Sequence, residues 1–173
     1  MVRSIIGDYR AFFRELRQCT ADAGIDIDGC GLSHLAFRTA TLDEYGEVQR
    51  RLKPWCRANV ENTWNGRPID KLLLKEPLEL DAGYPVSLIE LIPPPHRENW
   101  PMGLEHLGVV IGDSFDEFTR EHRNRFTGQQ DQGPYCQPAY ITFGNGRTVK
   151  FYRHSLQDVV AMEGRPFVSC GEP

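Results

Sequence analysis

Apolar side chains recur at intervals of three and four residues over positions 4–24: Ile5, Ile6, Tyr9, Phe12, Phe13, Leu16 and Cys19, with arginines between them. That period predicts an amphipathic helix packed on the body of the protein, ended by Gly24. The period shortens over 32–39, which reads as a strand. Thr41 followed by Glu44 is a capping box, so a helix is expected over 42–53, stopped by Pro54. Strands are expected over 57–64 and 67–75, joined by Asn65-Gly66, a pair that tolerates the positive φ values of a type I′ hairpin. A further strand covers 86–92 and ends at Pro93-Pro94-Pro95, because proline cannot continue a ladder.

After a linker at 93–103 the pattern restarts. A strand is expected over 104–111, then a helix over 115–126 capped by Asp113 or Ser114. Residues 127–138 read as loop or a weak edge strand. Strands 139–143 and 147–153 flank Gly144-Asn145-Gly146. Ser155 caps a short helix over 156–162, and the tail from 165 is expected to dock loosely or be poorly ordered. One helix per cluster of strands, with hairpin signals inside each cluster, predicts an α+β fold with mixed sheets and helices on one face. The whole chain, 1–173, is read as a single domain: an N-terminal helical part (1–28), a first strand-helix-strand-strand-strand module (29–95) and a second (96–164).

The two modules echo each other. Leu32-Ser33-His34-Leu35 returns as Leu104-Glu105-His106-Leu107, and each is followed by a helix start, Asp43-Glu44-Tyr45 and Asp116-Glu117-Phe118. Strand alternation puts His34, Ala36 and Arg38 on one face and Leu35 and Phe37 on the other. Leu35 and Phe37 are expected beneath the first helix, and Leu107, Val109 and Ile111 beneath the second. His34 and His106 are thereby left on the open side. Glu90 lies between Leu88-Ile89 and Leu91-Ile92, where an unpaired carboxylate is costly to bury. Two neutral imidazoles and a carboxylate form a site for Zn²⁺, Fe²⁺ or a similar ion with open coordination positions. The competing reading is structural: Glu90 paired with Arg38 or Lys71, and the histidines as satisfied interior residues.

Other residues change the picture less. Arg38 is a candidate clamp for a substrate carboxylate or phosphate. Arg67 and Lys71 would add positive charge at the cleft rim, and Tyr152 is a candidate donor to bound substrate or a packing residue. His96, His122 and His154 are expected at the surface. Trp55, Trp64 and Trp100 are expected to pack, with a pocket lining as the alternative. No GxGxxG follows a strand and no GxxxxGK[ST] or nucleophile elbow occurs, which disfavours nucleotide cofactors and serine hydrolase chemistry. The net charge of −4 and pI of about 5.7 imply no basic face for nucleic acid. No run approaches the roughly 20 apolar residues of a membrane helix, and Met1-Val2-Arg3-Ser4 lacks a signal-peptide h-region, so a cytoplasmic location is expected. Five cysteines, an odd number without CxxC, read as scattered free thiols.

Taken in order, Ser33-His34-Leu35 with Arg38, Asn65-Gly66-Arg67-Pro68-Ile69, Ile89-Glu90-Leu91-Ile92-Pro93, Leu104-Glu105-His106-Leu107, and Val149-Lys150-Phe151 leading to Ser155-Leu156 resemble the YecM-like branch of the vicinal oxygen chelate superfamily. The likeness spans residues 30–163. It implies paired βαβββ modules forming a curved sheet around a cleft, and a divalent metal (Fe, Zn, Mn or Ni) held by residues from the first and last strands of each module. His34, Glu90 and His106 match three of the four ligand places. The fourth is left to Tyr152, Glu163 or water, with Lys150 in the same stretch as Tyr152. The function implied is a metal-dependent isomerase, lyase or oxygenase acting on a small chelating oxygenated substrate, with Glu90 also as a general base. A non-catalytic small-molecule-binding module of the same fold is the alternative. A module pair completes its own cleft, so a monomer is expected.

Overall fold

A computed structural model of the chain describes residues 1–64, 66–94 and 102–171. Two helices open the chain, α1 (Arg3–Ile6) and α2 (Tyr9–Asp22). The single helix expected over 4–24 is therefore divided. Gly7 takes φ 87°, a left-handed value that breaks the helix, and the Asp8 carboxylate restarts it by accepting from the Ala11 N–H. The apolar period runs through the break undisturbed, which is why periodicity alone does not reveal it.

Strand β1 (Gly31–Arg38) leads to α3 (Leu42–Leu52), then β2 (Cys56–Trp64), β3 (Arg67–Glu79) and β4 (Pro85–Ile92). Thr41 caps α3 by accepting from the Glu44 N–H, while the Glu44 carboxylate accepts from Ala40. Trp64 pairs with Arg67, leaving two residues for the turn. Gly66 has φ 75°, and Asn65 lies outside the described residues. Strand β5 (Gly103–Val110) is followed by α4 (Phe115–Glu121), β6 (Gly128–Gln129), β7 (Ala139–Thr142) and β8 (Thr148–Tyr152). Helix α4 ends five residues earlier than expected, and β6 is the weak edge strand anticipated within 127–138. Last come α5 (Leu156–Met162), capped by Ser155, and β9 (Val168–Ser169).

The strands form one nine-stranded mixed sheet in the order β6-β7-β8-β5-β1-β4-β3-β2-β9. β1 is parallel to β4, β5 is parallel to β8, and β1 and β5 meet antiparallel at the centre. The order β1-β4-β3-β2 is thus mirrored by β5-β8-β7-β6 across that central pair. The tail corrects the expectation of loose docking: Val168 and Ser169 pair with Asn59 and Ala58 at the outer edge of β2.

Phe13, Leu16, Leu35, Leu52, Leu107 and Phe151 are fully buried in one continuous core that joins α1–α4 to a single face of the sheet. Helix α5 departs from the expected one-sided arrangement. Its Val159 packs with Cys136 and Tyr152 in a separate cluster, and its first N–H, of Leu156, donates to Ser33 Oγ on β1 at 2.8 Å. It therefore covers the open face of the sheet, where the histidines lie. Among the described residues no helix is long and apolar enough to cross a membrane.

Phe13 carries no exposed surface and holds α2 on the sheet beside Tyr84, with ring centroids 4.9 Å apart. Phe13→Ala is expected to cost roughly 3–5 kcal/mol, read as a lowered urea midpoint with an unchanged m-value.

Candidate metal centre

Leu35 pairs with Leu107 at the middle of the β1–β5 ladder, with His34 opposite Gly108 and Ala36 opposite His106. The register slips once on each side of this block. Leu32 pairs with Val109 and the next pair is His34–Gly108, so Ser33 is an extra residue in β1. Ala36 pairs with His106 and Phe37 with Leu104, so Glu105 is an extra residue in β5. Each is a β-bulge, which re-aims the bulged side chain.

The bulged residues serve the histidines that follow them. Ser33 Oγ lies 2.8 Å from His34 Nδ1, and Glu105 Oε1 lies 3.2 Å from His106 Nδ1. Strict alternation would have sent Glu105 to the helix-covered face with Leu107. The bulge instead keeps it beside His106, and its other oxygen accepts from Arg38 Nε. Arg38 also donates to the Pro93 carbonyl at 2.9 Å. Ser33 Oγ already accepts from the Leu156 N–H, and Glu105 is held by Arg38. With both Nδ1 atoms engaged this way, both Nε2 atoms turn towards each other and Glu90. In the tautomer that donates Nδ1–H to these partners, the Nε2 lone pair of each ring is left for an ion.

His34 Nε2 and His106 Nε2 are 3.2 Å apart. Glu90 Oε2 is 3.2 Å from His106 Nε2 and 3.7 Å from His34 Nε2. An ion about 2.1 Å from each ligand holds neighbouring donor atoms roughly 3.0 Å apart at right angles and roughly 3.4 Å apart at tetrahedral angles. The three atoms therefore converge as the ligands of one divalent ion do. Two imidazole lone pairs facing each other across 3.2 Å repel unless a proton or a cation lies between them.

Burial sets the electrostatics. It lowers the His34 pKa to about 3, against the opposing pull of Glu90, so this imidazole is neutral across ordinary pH. Burial alone would raise the Glu90 carboxyl. The His106 hydrogen bond and the charges of His34, His106 and Lys150 outweigh it and hold Glu90 well below the usual carboxylate range. Glu105 behaves alike: burial raises it, and the His106 and Arg38 contacts bring it down to about 2.

The expected site residues sort as follows. His34, Glu90 and His106 come together. Arg38, expected to face Glu90 or a substrate, sits on Glu105 instead. Arg67 donates to the Pro94 carbonyl at 3.3 Å. Burial beside Arg38 lowers its pKa, against the opposing charge of Glu105. Tyr152 stands edge-on to His34 with centroids 5.4 Å apart. Burial, with Glu90 and Cys136 near, raises its phenol well above the ordinary value. Glu163 lines the same cleft as Glu90 and pairs with Arg165 at 3.5 Å, outside the triad. His122 stacks on Phe118, away from the site, and Trp55 is 43% exposed. His96 and Trp100 lie outside the described residues. All five cysteines are free, and Cys136 reaches the cleft. The cleft, of about 240 Å³, is also lined by Asn62, Lys71, Gln132, Leu156 and Val159.

Sequence reasoning missed Ser33, Glu105 and Cys136 as parts of this site. The signal for Glu105 was present: a carboxylate within an apolar run, next to a histidine.

A mixed sheet folded about a buried His-Glu-His cluster is the class of protein that fold and site define. The chain belongs to the YecM family, whose model, described as YecM protein, matches residues 1–139. A solved structure described as "Structural Genomics, Protein EC4020" superposes with a TM-score of 0.75 at 24% identity, covering 93% of this chain and 92% of that one. It shares the fold. The fosfomycin resistance protein FosX from Mesorhizobium loti gives a TM-score of 0.28 at 14% identity, over 76% of this chain and 97% of its own. A mutant FosX from Listeria monocytogenes, complexed with Mn(II) and 1S,2S-dihydroxypropylphosphonic acid, gives 0.29 at 15% identity, over 77% and 97%. No curated protein matches the sequence significantly.

Gly108 faces His34 so closely that a Cβ there would lie 2.6 Å from Nδ1 and Cε1 of the ring. Gly108→Ala is expected to destabilise by about 1–3 kcal/mol and to break the Ser33–His34 contact, read by thermal melting and by the histidine NMR signals.

In the metal-free protein stability is expected to fall with acid. The unfolded chain takes up a proton on His34 near its ordinary pKa of 6.5, whereas the folded chain does so only near 3. The contribution is complete above pH 6.5 and drains away as pH falls towards 3, at up to roughly 1.4 kcal/mol per pH unit. Urea midpoints at pH 7 and pH 5 measure it, and His34→Gln is expected to flatten the slope.

Proposed function

We propose that this protein binds one divalent metal ion through His34, Glu90 and His106 and is a metal-dependent enzyme, an isomerase, lyase or oxygenase, acting on a small oxygenated substrate in the cleft. The observation that carries this reading is the convergence of three donor atoms whose two histidines are each fixed at Nδ1 by a bulged neighbour. An ordinary structural cluster has no need of that second layer, whereas it orients metal-ligating histidines and raises their basicity. Two imidazole nitrogens and one carboxylate oxygen suit Fe, Mn, Ni or Zn.

The bound ion would supply Lewis acidity to a substrate oxygen. The protein's own groups do the rest. Glu90 turns Oε2 to the histidines and lines the cleft, so its carboxylate also serves as a general base towards a bound substrate. Tyr152, kept protonated by burial, is a hydrogen-bond donor beside His34. Arg38 acts through Glu105 as a positioning residue for His106. Arg67 adds positive charge beside that pair. Leu156 and Val159 of α5 keep water from the histidine side of the cleft.

Elemental analysis of protein purified without a histidine tag is expected to find about one equivalent of Fe, Mn, Ni or Zn, lost in the His34→Ala/His106→Ala variant. Glu105→Gln removes no ligand and is expected to weaken metal binding roughly 10–100-fold. Wild-type protein that neither carries nor takes up metal would overturn the enzyme reading and leave a metal-free binding module.

A further inference from the structure

The central ladder is symmetric about the Leu35–Leu107 pair: His34 faces Gly108 on one side and Ala36 faces His106 on the other. The same relation extends to the next strand out. Ala36 pairs in parallel with Glu90 on β4, and Gly108, its counterpart, pairs in parallel with Lys150 on β8. Lys150 therefore holds, in the second half of the sheet, the place that Glu90 holds in the first. It shares a strand face with Tyr152, which stands against His34. Its positive charge acts on His34, Glu90 and Cys136, and it has no ion-pair or hydrogen-bond partner among the described residues. A second lysine, Lys71, is buried opposite Glu90 in the β3–β4 ladder, lines the cleft and donates to Asn62 Oδ1.

An ammonium group beside a divalent ion is repelled by it, and the repulsion is strong where water is excluded. With the ion bound, Glu90 cancels one of its two charges and the lysines add two more. The neighbouring acids do not offset this: Glu163 pairs with Arg165, and Glu105 with Arg38. A negatively charged ligand would offset this excess of positive charge.

We propose that Lys150 forms an anion subsite in place of a fourth protein ligand, and that the substrate is a small oxyacid, a carboxylate with a second oxygen on the adjacent carbon. One oxygen faces the triad and the acid group meets Lys150. The cleft that Glu90 and Lys71 line, about 240 Å³, is below the roughly 300–1,000 Å³ that drug-sized ligands fill, which fits a molecule of this size. This rests on the metal reading above.

The test uses the full chain and two titrations by calorimetry. Mn(II) is titrated first into wild type, Lys150→Met and Lys150→Arg. Oxalate, with ethylene glycol as the neutral vicinal-oxygen control, is then titrated into each Mn(II)-loaded protein held in excess over the ion. Lys150→Met is expected to bind Mn(II) as well as wild type or more tightly, since a repelling charge is gone, and to lose at least tenfold in oxalate affinity. Lys150→Arg is expected to keep most of the oxalate affinity, and ethylene glycol to bind all three proteins equally weakly. Equal oxalate affinity in Mn(II)-loaded wild type and Lys150→Met would overturn the anion subsite while leaving the metal reading intact. Failure of wild type to bind Mn(II) in the first titration would overturn the metal reading, and the subsite with it.

Discussion

Two antiparallel strands meet at Leu35 and Leu107, and one extra residue on either side of that meeting does most of the work of building the site. Without the bulges, Ser33 and Glu105 would point away from the histidines that follow them, and the imidazole rings would have no partner at Nδ1. A buried imidazole with a loose ring adopts either tautomer. One fixed at Nδ1 by a held acceptor presents a lone pair at Nε2. The bulges thus convert two buried histidines into two aimed donors. The closeness of β1 and β5 is equally strict, because His34 occupies the space that a side chain at Gly108 would need.

Charge burial follows from the same geometry. Glu90, His34, His106, Glu105 and Arg38 form one connected set, and each member is tolerable only because the next is present. A carboxylate left alone at this depth would take up a proton. Here His106 lies between two carboxylates, and Arg38 anchors the outer one. Removing Arg38 would leave Glu105 with an uncompensated buried charge, although Arg38 is not one of the three converging residues. The set is therefore a continuous path by which a residue at the end of β1 influences the basicity of His106 on β5.

Much of this was legible in the chain. Alternation over 34–38 placed Leu35 and Phe37 in the core and left His34 facing the cleft, and a carboxylate between Leu88-Ile89 and Leu91-Ile92 demanded a partner. What alternation cannot show is a change of register. Ser33 and Glu105 become functional through slips in pairing between strands far apart in sequence, and no local pattern encodes a slip. The same blindness explains β9, whose two residues join the sheet through contacts with β2 rather than through any strand signal of their own. Gly7 is the opposite case. Its signal is local, but the apolar period continued across it and concealed the break.

Register also decides what the fourth side of the site is made of. Spacing along the chain leaves the position opposite Glu90 open between Lys150, Tyr152 and Glu163. Pairing puts Lys150 at the register counterpart of Glu90, since Gly108 faces Lys150 as Ala36 faces Glu90. Tyr152, two residues on, packs edge-on against His34, and Glu163 is drawn to Arg165 at the end of α5. One half of the sheet thus contributes a carboxylate to the shared centre and the other half an ammonium. An arrangement symmetric in backbone is therefore antisymmetric in charge. On the proposed metal reading, a cation would sit well against the first half only, and an anion between it and Lys150 would be held by both.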